Sequence, residues 1–80
     1  MNKQKYTEIF ENIFGVDEAA LNADFTFQNV DEWDSFTHLT LIGDLEAAFD
    51  VMFEPNDILH FGGFENGMQI LSRYGVDFNA

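Results

Sequence analysis

Residues 34–49 read DSFTHLTLIGDLEAAF, and the fold turns on how that run is read. Phe36, Leu39, Ile42, Leu45 and Phe49 recur at steps of three and four, the spacing that gathers side chains on one face of an α-helix. Leu41, Ala48 and Met52 widen the stripe, so a broad apolar face is expected rather than a narrow seam. Asp31, Glu32 and Asp34 crowd around Trp33 just ahead of it, and Ser35 stands where the helix would begin. Asp and Ser are both favoured there, because a side-chain oxygen accepts from backbone N–H groups that have no partner in the first turn.

Working outward, three more segments carry helical spacing. Tyr6, Ile9, Phe10, Ile13 and Phe14 repeat at three- and four-residue steps until Gly15 ends the pattern. Pro55 suits the first turn of a short helix, roughly Pro55 to Leu59, since the N–H it lacks is not needed there. Gly62 and Gly63 break the chain, and a last helix follows with Phe64, Met68, Leu71 and Tyr74 inward and Gly75 closing it. Strand signals are poor: DFTFQNV alternates briefly but has no partner run. Residues 16–34 are therefore expected to be a long ordered connection pinned by Leu21, Phe25 and Phe27, with one helical turn between Val16 and Leu21. The expectation is an all-α bundle of three main helices plus a short one, with a long first loop, forming one domain over residues 1–80.

Composition bounds the function. A chain of 80 residues buries only about 60% of its unfolded surface, and ten Phe supply the apolar area a small core needs. There is no Cys, which excludes disulfides and thiolate metal sites. No apolar run approaches a membrane span, and MNKQKYTEIFENIF lacks the hydrophobic segment of a signal peptide, so a soluble, cytoplasmic monomer is expected. Fifteen acids face three basic residues, Lys3, Lys5 and Arg73, for a formal net charge of −12. Such a surface repels nucleic-acid phosphates and steers in partners that carry basic patches. His38 and His60 lack ligand spacing, and the acids at 31–34 match no calcium loop, so no metal site is expected.

Ser35 admits three readings. The first is a plain helix cap. The second is a nucleophile paired with His38, three residues on. That would need an orienting carboxylate, oxyanion donors and a cleft, and no strand-to-helix elbow supplies them; His38 is expected as an exposed helix residue. The third is an attachment point for a phosphate-linked arm, since a helix N-terminus presents free N–H groups and partial positive charge to an anionic linker.

Taken in order, the segments resemble the acyl carrier protein family. DSFTHLTLIGDLEAAFDVMF is similar to that family's signature of Asp-Ser, an apolar residue, a striped helix, Leu-Glu and an acid-flanked Phe. FGVDEAALNADFTF and FGGFENGMQIL are similar to its first-loop and last-helix regions, and the spacing runs from about residue 5 to residue 74. The resemblance implies that Ser35 carries 4'-phosphopantetheine, transferred from coenzyme A by a separate phosphopantetheinyl transferase, with Asp34 supporting that transfer. It implies acyl or aminoacyl cargo held as a thioester, loaded by a ligase and consumed by synthases or transferases with basic surfaces; the carrier is not itself an enzyme. Asp44, Glu46, Asp50 and Glu54 are then the partner-docking acids, and Phe36, Leu41, Leu45, Phe49, Phe61, Phe64, Met68 and Leu71 form the core or acyl cavity. Large rings that fill the corresponding interior point to short, polar or aminoacyl cargo, and Trp33, Thr37, His38, Thr40 and Gly43 depart from carriers of fatty-acid synthesis, which points to a specialised biosynthetic pathway. The competing expectation from another class is an unmodified acidic helical adaptor that binds a basic protein.

Overall fold

Four helices carry the chain in the computed structural model, which describes residues 1–79: α1 (Asn2–Phe14), α2 (Ser35–Phe49), α3 (Pro55–His60) and α4 (Phe64–Arg73). Their ends fall where local chemistry puts them. Gly15 takes a left-handed conformation, φ 65°, and its N–H closes α1 on Glu11 O at 2.8 Å, a geometry most other residues resist. α2 starts from Asp34, whose Oδ1 accepts from the Thr37 N–H at 2.8 Å. It ends on Asp50, a left-handed residue other than Gly, with φ 54°, whose N–H reaches back to Glu46 O. Pro55 opens α3, as its fixed φ favours.

The connection between α1 and α2 is ordered by backbone as much as by rings. A single 3₁₀ turn spans Glu18–Ala20, inside the window expected for it. Leu21 and Phe25 are buried, whereas the Phe27 ring is half-exposed and packs edge-on against Trp33 and His38, each 6.3 Å away between centroids. A turn closes through Thr26–Val30, and the Phe27 backbone adds to the fastening. The Phe27 N–H donates to Gly62 O at 2.8 Å and the Phe64 N–H donates to Phe25 O at 2.9 Å, an isolated antiparallel bridge that ties the loop to the α3–α4 turn.

One hydrophobic cluster draws on every helix and on the loop. Its densest part is aromatic. The Phe10 ring meets Phe64 at 5.1 Å and Trp33 at 5.9 Å between centroids, both edge-on. Tyr6 is fully buried, and its hydroxyl donates to Phe64 O at 2.6 Å, so the one polar atom it brings inside is satisfied. Gly67 makes this packing possible: a Cβ there would overlap both the Phe61 ring and the Tyr6 hydroxyl. Leu41, Leu45, Phe61, Phe64 and Leu71 are buried as expected, while Phe49 and Met68 are half-buried against the cluster.

The stripe read along α2 needs correction. Phe36 is 80% exposed, Leu39 63% and Met52 83%, so none of the three belongs to the core. The buried face is Leu41, Ile42 and Leu45, flanked by His38 and Phe49. Phe36 precedes Leu45 by nine positions, about 180° around a 3.6-residue helix, so the two point to opposite sides. A helix apolar nearly all round allows more than one stripe to be traced, and the neighbours decide which one is buried.

Candidate functional site

Ser35 is the first residue of α2 and is exposed. The residue before it holds the local geometry: Asp34 caps the helix from an extended backbone conformation, φ −103° and ψ −176°, leaving Ser35 to project at the helix start rather than to cap it. The Thr37 N–H beside Asp34 keeps its carboxyl below the usual Asp range, so the cap is an anion at neutral pH.

Behind Ser35 lies a relay of three residues. Trp33, 2% exposed, donates its indole N–H to His38 Nδ1 at 3.0 Å. An indole nitrogen only donates, so Nδ1 is the accepting nitrogen and the His38 proton sits on Nε2. That nitrogen then donates to Ile58 O at 2.8 Å. The relay joins the segment before Ser35, the first turns of α2 and helix α3. His38 is therefore half-buried and fully engaged, not an exposed helix residue, and neither ring nitrogen is left to serve as a base for Ser35. Trp33 was legible only as a departure from a pattern; nothing in its spacing signalled a partner five residues on.

Ser35 borders an open groove of about 910 Å³ between the first loop, α2, α3 and the start of α4. Phe27, Leu39, Ile58, Leu59 and Phe61 contribute apolar walls; Gln28, Glu65 and Asn66 contribute polar ones. Phe36, although outside the groove, stands exposed on the same end of α2, next to Ser35 in sequence. The site thus combines a free hydroxyl, an anionic cap and exposed apolar surface.

The four acids expected at a docking face behave differently from one another. Asp44 is exposed on α2. Glu46 is half-buried, and its Oε2 accepts from the Phe53 N–H at 2.9 Å, which fastens the α2–α3 connection. Asp50 is the exposed C-terminal cap of α2. Glu54 is exposed, precedes α3, and its N–H donates to the Tyr74 hydroxyl at 3.0 Å.

A further acid, Asp57, went unnoticed in the sequence. It accepts from Arg73 at 2.9 Å and from the Tyr74 hydroxyl, clamping α3 to the end of α4. The Tyr74 hydrogen bond, with Arg73 behind it, holds the Asp57 carboxyl below its usual range; the same bond raises Tyr74. Lys5 is also committed internally, donating to Ala48 O at 3.1 Å and lying 5.1 Å over the Phe49 ring. Two of the three basic residues are thus engaged within the chain. Among the described residues no three His, Asp or Glu side chains converge on a point that would hold a metal ion, and no helix is long and apolar enough to cross a membrane.

No protein-family model matches the chain, and no curated protein sequence matches it.

Proposed function

We propose that this protein is a discrete acyl carrier, modified on Ser35 with 4'-phosphopantetheine and built as an acyl-carrier-protein-like bundle. The observation that carries the reading is the placement of Ser35: an exposed hydroxyl at the first position of a helix, beside an Asp cap and at the border of an apolar groove. An arm fits there. The linker's negative charge faces the N-terminal end of α2, where the backbone dipoles favour it, and the groove offers apolar surface to whatever the arm holds.

In the transfer, Ser35 Oγ attacks the phosphorus that bears pantetheine and loses its proton. The bond to the adenosine bisphosphate half of coenzyme A breaks, and that half leaves. A separate transferase supplies the base and the metal ion. The arm ends in a thiol, the reactive sulfur absent from a chain without Cys. Acyl or aminoacyl groups ride on it as thioesters to enzymes with basic surfaces, and tethering replaces diffusion with a high local concentration. His38 holds the relay together, which supports a carrier over a hydrolase. We place the protein in a specialised biosynthetic pathway.

Incubation with coenzyme A, Mg²⁺ and a broad-specificity transferase should add the mass of one phosphopantetheine, and Ser35→Ala should abolish it. An intact mass that never changes refutes the carrier reading. A second reading, an unmodified acidic adaptor, draws on the exposed Phe36 and Leu39 amid an acidic surface. It requires that Ser35→Ala leave partner binding unaltered.

A further inference from the structure

A cargo held on an arm at Ser35 has two places to rest, the helical interior or the groove. The interior is closed. Leu41, Leu45 and Leu71 are fully buried, and the Phe61 ring occupies the space that Gly67 leaves beside Tyr6. Entry from the Ser35 side is barred by the relay, since Trp33, His38 and Ile58 span loop, α2 and α3 with two hydrogen bonds. The groove is open and has a distinct chemistry. Its walls at Leu39 and Leu59 are exposed and unpartnered within the chain. Its one carboxylate is Glu65; no Lys or Arg lines it among the described residues, and its two imidazoles are His38, held in the relay, and His60, whose Nδ1 is bonded to Asn56 O.

We infer that the groove bordered by Ser35, Leu39, Leu59 and Glu65 is the resting site of the cargo, and that it favours a short acyl group ending in an ammonium. This rests on the carrier reading of Ser35. The methylenes of such a group cover Leu39 and Leu59, and its ammonium approaches Glu65. A carboxylate at the same place meets Glu65 and a chain of net charge −12, so acidic cargo is disfavoured. A long saturated chain gains no entry to the interior without displacing Phe61.

The test uses full-length protein loaded on Ser35 with amide-linked, non-hydrolysable arms bearing β-alanyl, butanoyl, succinyl or dodecanoyl groups. Loading is verified by mass, and backbone amides are followed by NMR against the protein carrying the bare arm. The β-alanyl arm should shift the amides of Leu39, Leu59, Glu65 and Asn66 about twofold more than the butanoyl arm, and the excess should fade at high salt. Succinyl should shift them least, and dodecanoyl should leave Leu41, Leu45 and Leu71 unmoved. Glu65→Gln, a change at an exposed position, should equalise β-alanyl and butanoyl; Leu59→Ser should weaken the shifts of both. Equal shifts for all three short arms, a silent groove in a loaded protein, or movement of the interior leucines by dodecanoyl would each overturn this inference while sparing the carrier reading. Failure of even the bare arm to load overturns both.

Discussion

Two glycines divide the molecule. Gly67, on α4, sits where an added Cβ would run into Phe61 and Tyr6; Gly43, on α2, has open space where its Cβ would be. The first marks the closed side of the bundle, where aromatic rings fill the volume and the one buried tyrosine hydroxyl is satisfied by a carbonyl. The second lies on the helix that carries Ser35, Phe36 and Leu39, whose outer face is apolar without being covered. The difference teaches that apolar content alone did not decide what is inside. On α4, packing required the small residue. On α2, no neighbour within the chain requires it, and the helix bears the entropic cost of a glycine on its exposed side.

The same substitution should therefore have opposite signs at the two sites. Gly67→Ala overpacks the core and should destabilise by about 1–3 kcal/mol, or more if Phe61 cannot shift. Gly43→Ala should stabilise by about 1 kcal/mol, because it restores helix propensity and meets no obstacle. Denaturant melts of both variants check this. A neutral Gly67→Ala would mean that Phe61 is not fixed in its place, and the contrast between the sides would collapse. A destabilising Gly43→Ala would mean that something within the chain does pack against that face.

Much of this division was legible in the sequence, though unevenly. The end of α1, the start of α3 and the start of α4 followed from Gly15, Pro55 and the Gly62–Gly63 break, since backbone-special residues act locally, whereas α1 begins earlier than its apolar pattern, at Asn2, and α4 ends at Arg73, two residues before Gly75. The placement of Ser35 at the start of α2 followed in the same way from Asp34. The buried face of α2 did not. Leu, Ile and Phe occur on nearly all sides of that helix, and two stripes satisfied the spacing; only packing against α1 and the shared core chose between them. The Trp33–His38–Ile58 relay and the Asp57 clamp were equally hidden, because each joins residues brought together by tertiary folding rather than by a motif. Glu46 shows the converse: a residue that looked like surface charge is turned inward to fasten a loop.

Phe36 offers a finer test of the open side. Its ring is solvated, so Phe36→Ser should change stability by no more than about 0.5 kcal/mol. If the exposed end of α2 serves partners, the same variant should slow phosphopantetheinylation of Ser35 while leaving the melt unchanged. A large loss of stability would return Phe36 to the core and undo the correction made to the α2 stripe. An unaltered modification rate would confine recognition to other parts of the surface.

Acid and base should probe the two sides separately, and the acid effect should be the smallest of all, because the carboxyls concerned are solvent-screened. Asp34 and Asp57 belong to the open side, one capping α2 beside Ser35 and the other clamping the groove wall α3 to α4. Both carboxyls are lowered in the folded protein, so the unfolded chain binds more protons as pH drops past the ordinary Asp value of about 3.9. Their stabilisation is complete above that value and is lost as pH falls through the lowered ones. Asp57→Asn should flatten this acid limb. Tyr6 belongs to the closed side, and burial raises its hydroxyl well above the ordinary Tyr value of about 10. Its contribution is complete below that value and is lost as pH climbs toward the raised one. Tyr74 is raised as well, chiefly by its bond to Asp57, so the alkaline limb is read cleanly in Tyr74→Phe, where Tyr6 remains. Stability measured across pH in these two variants should show an acid limb that depends on the α3 clamp and an alkaline limb that survives without it. If Tyr74→Phe erased the alkaline limb, Tyr6 would not be sealed inside, and the closed side would be open to water after all.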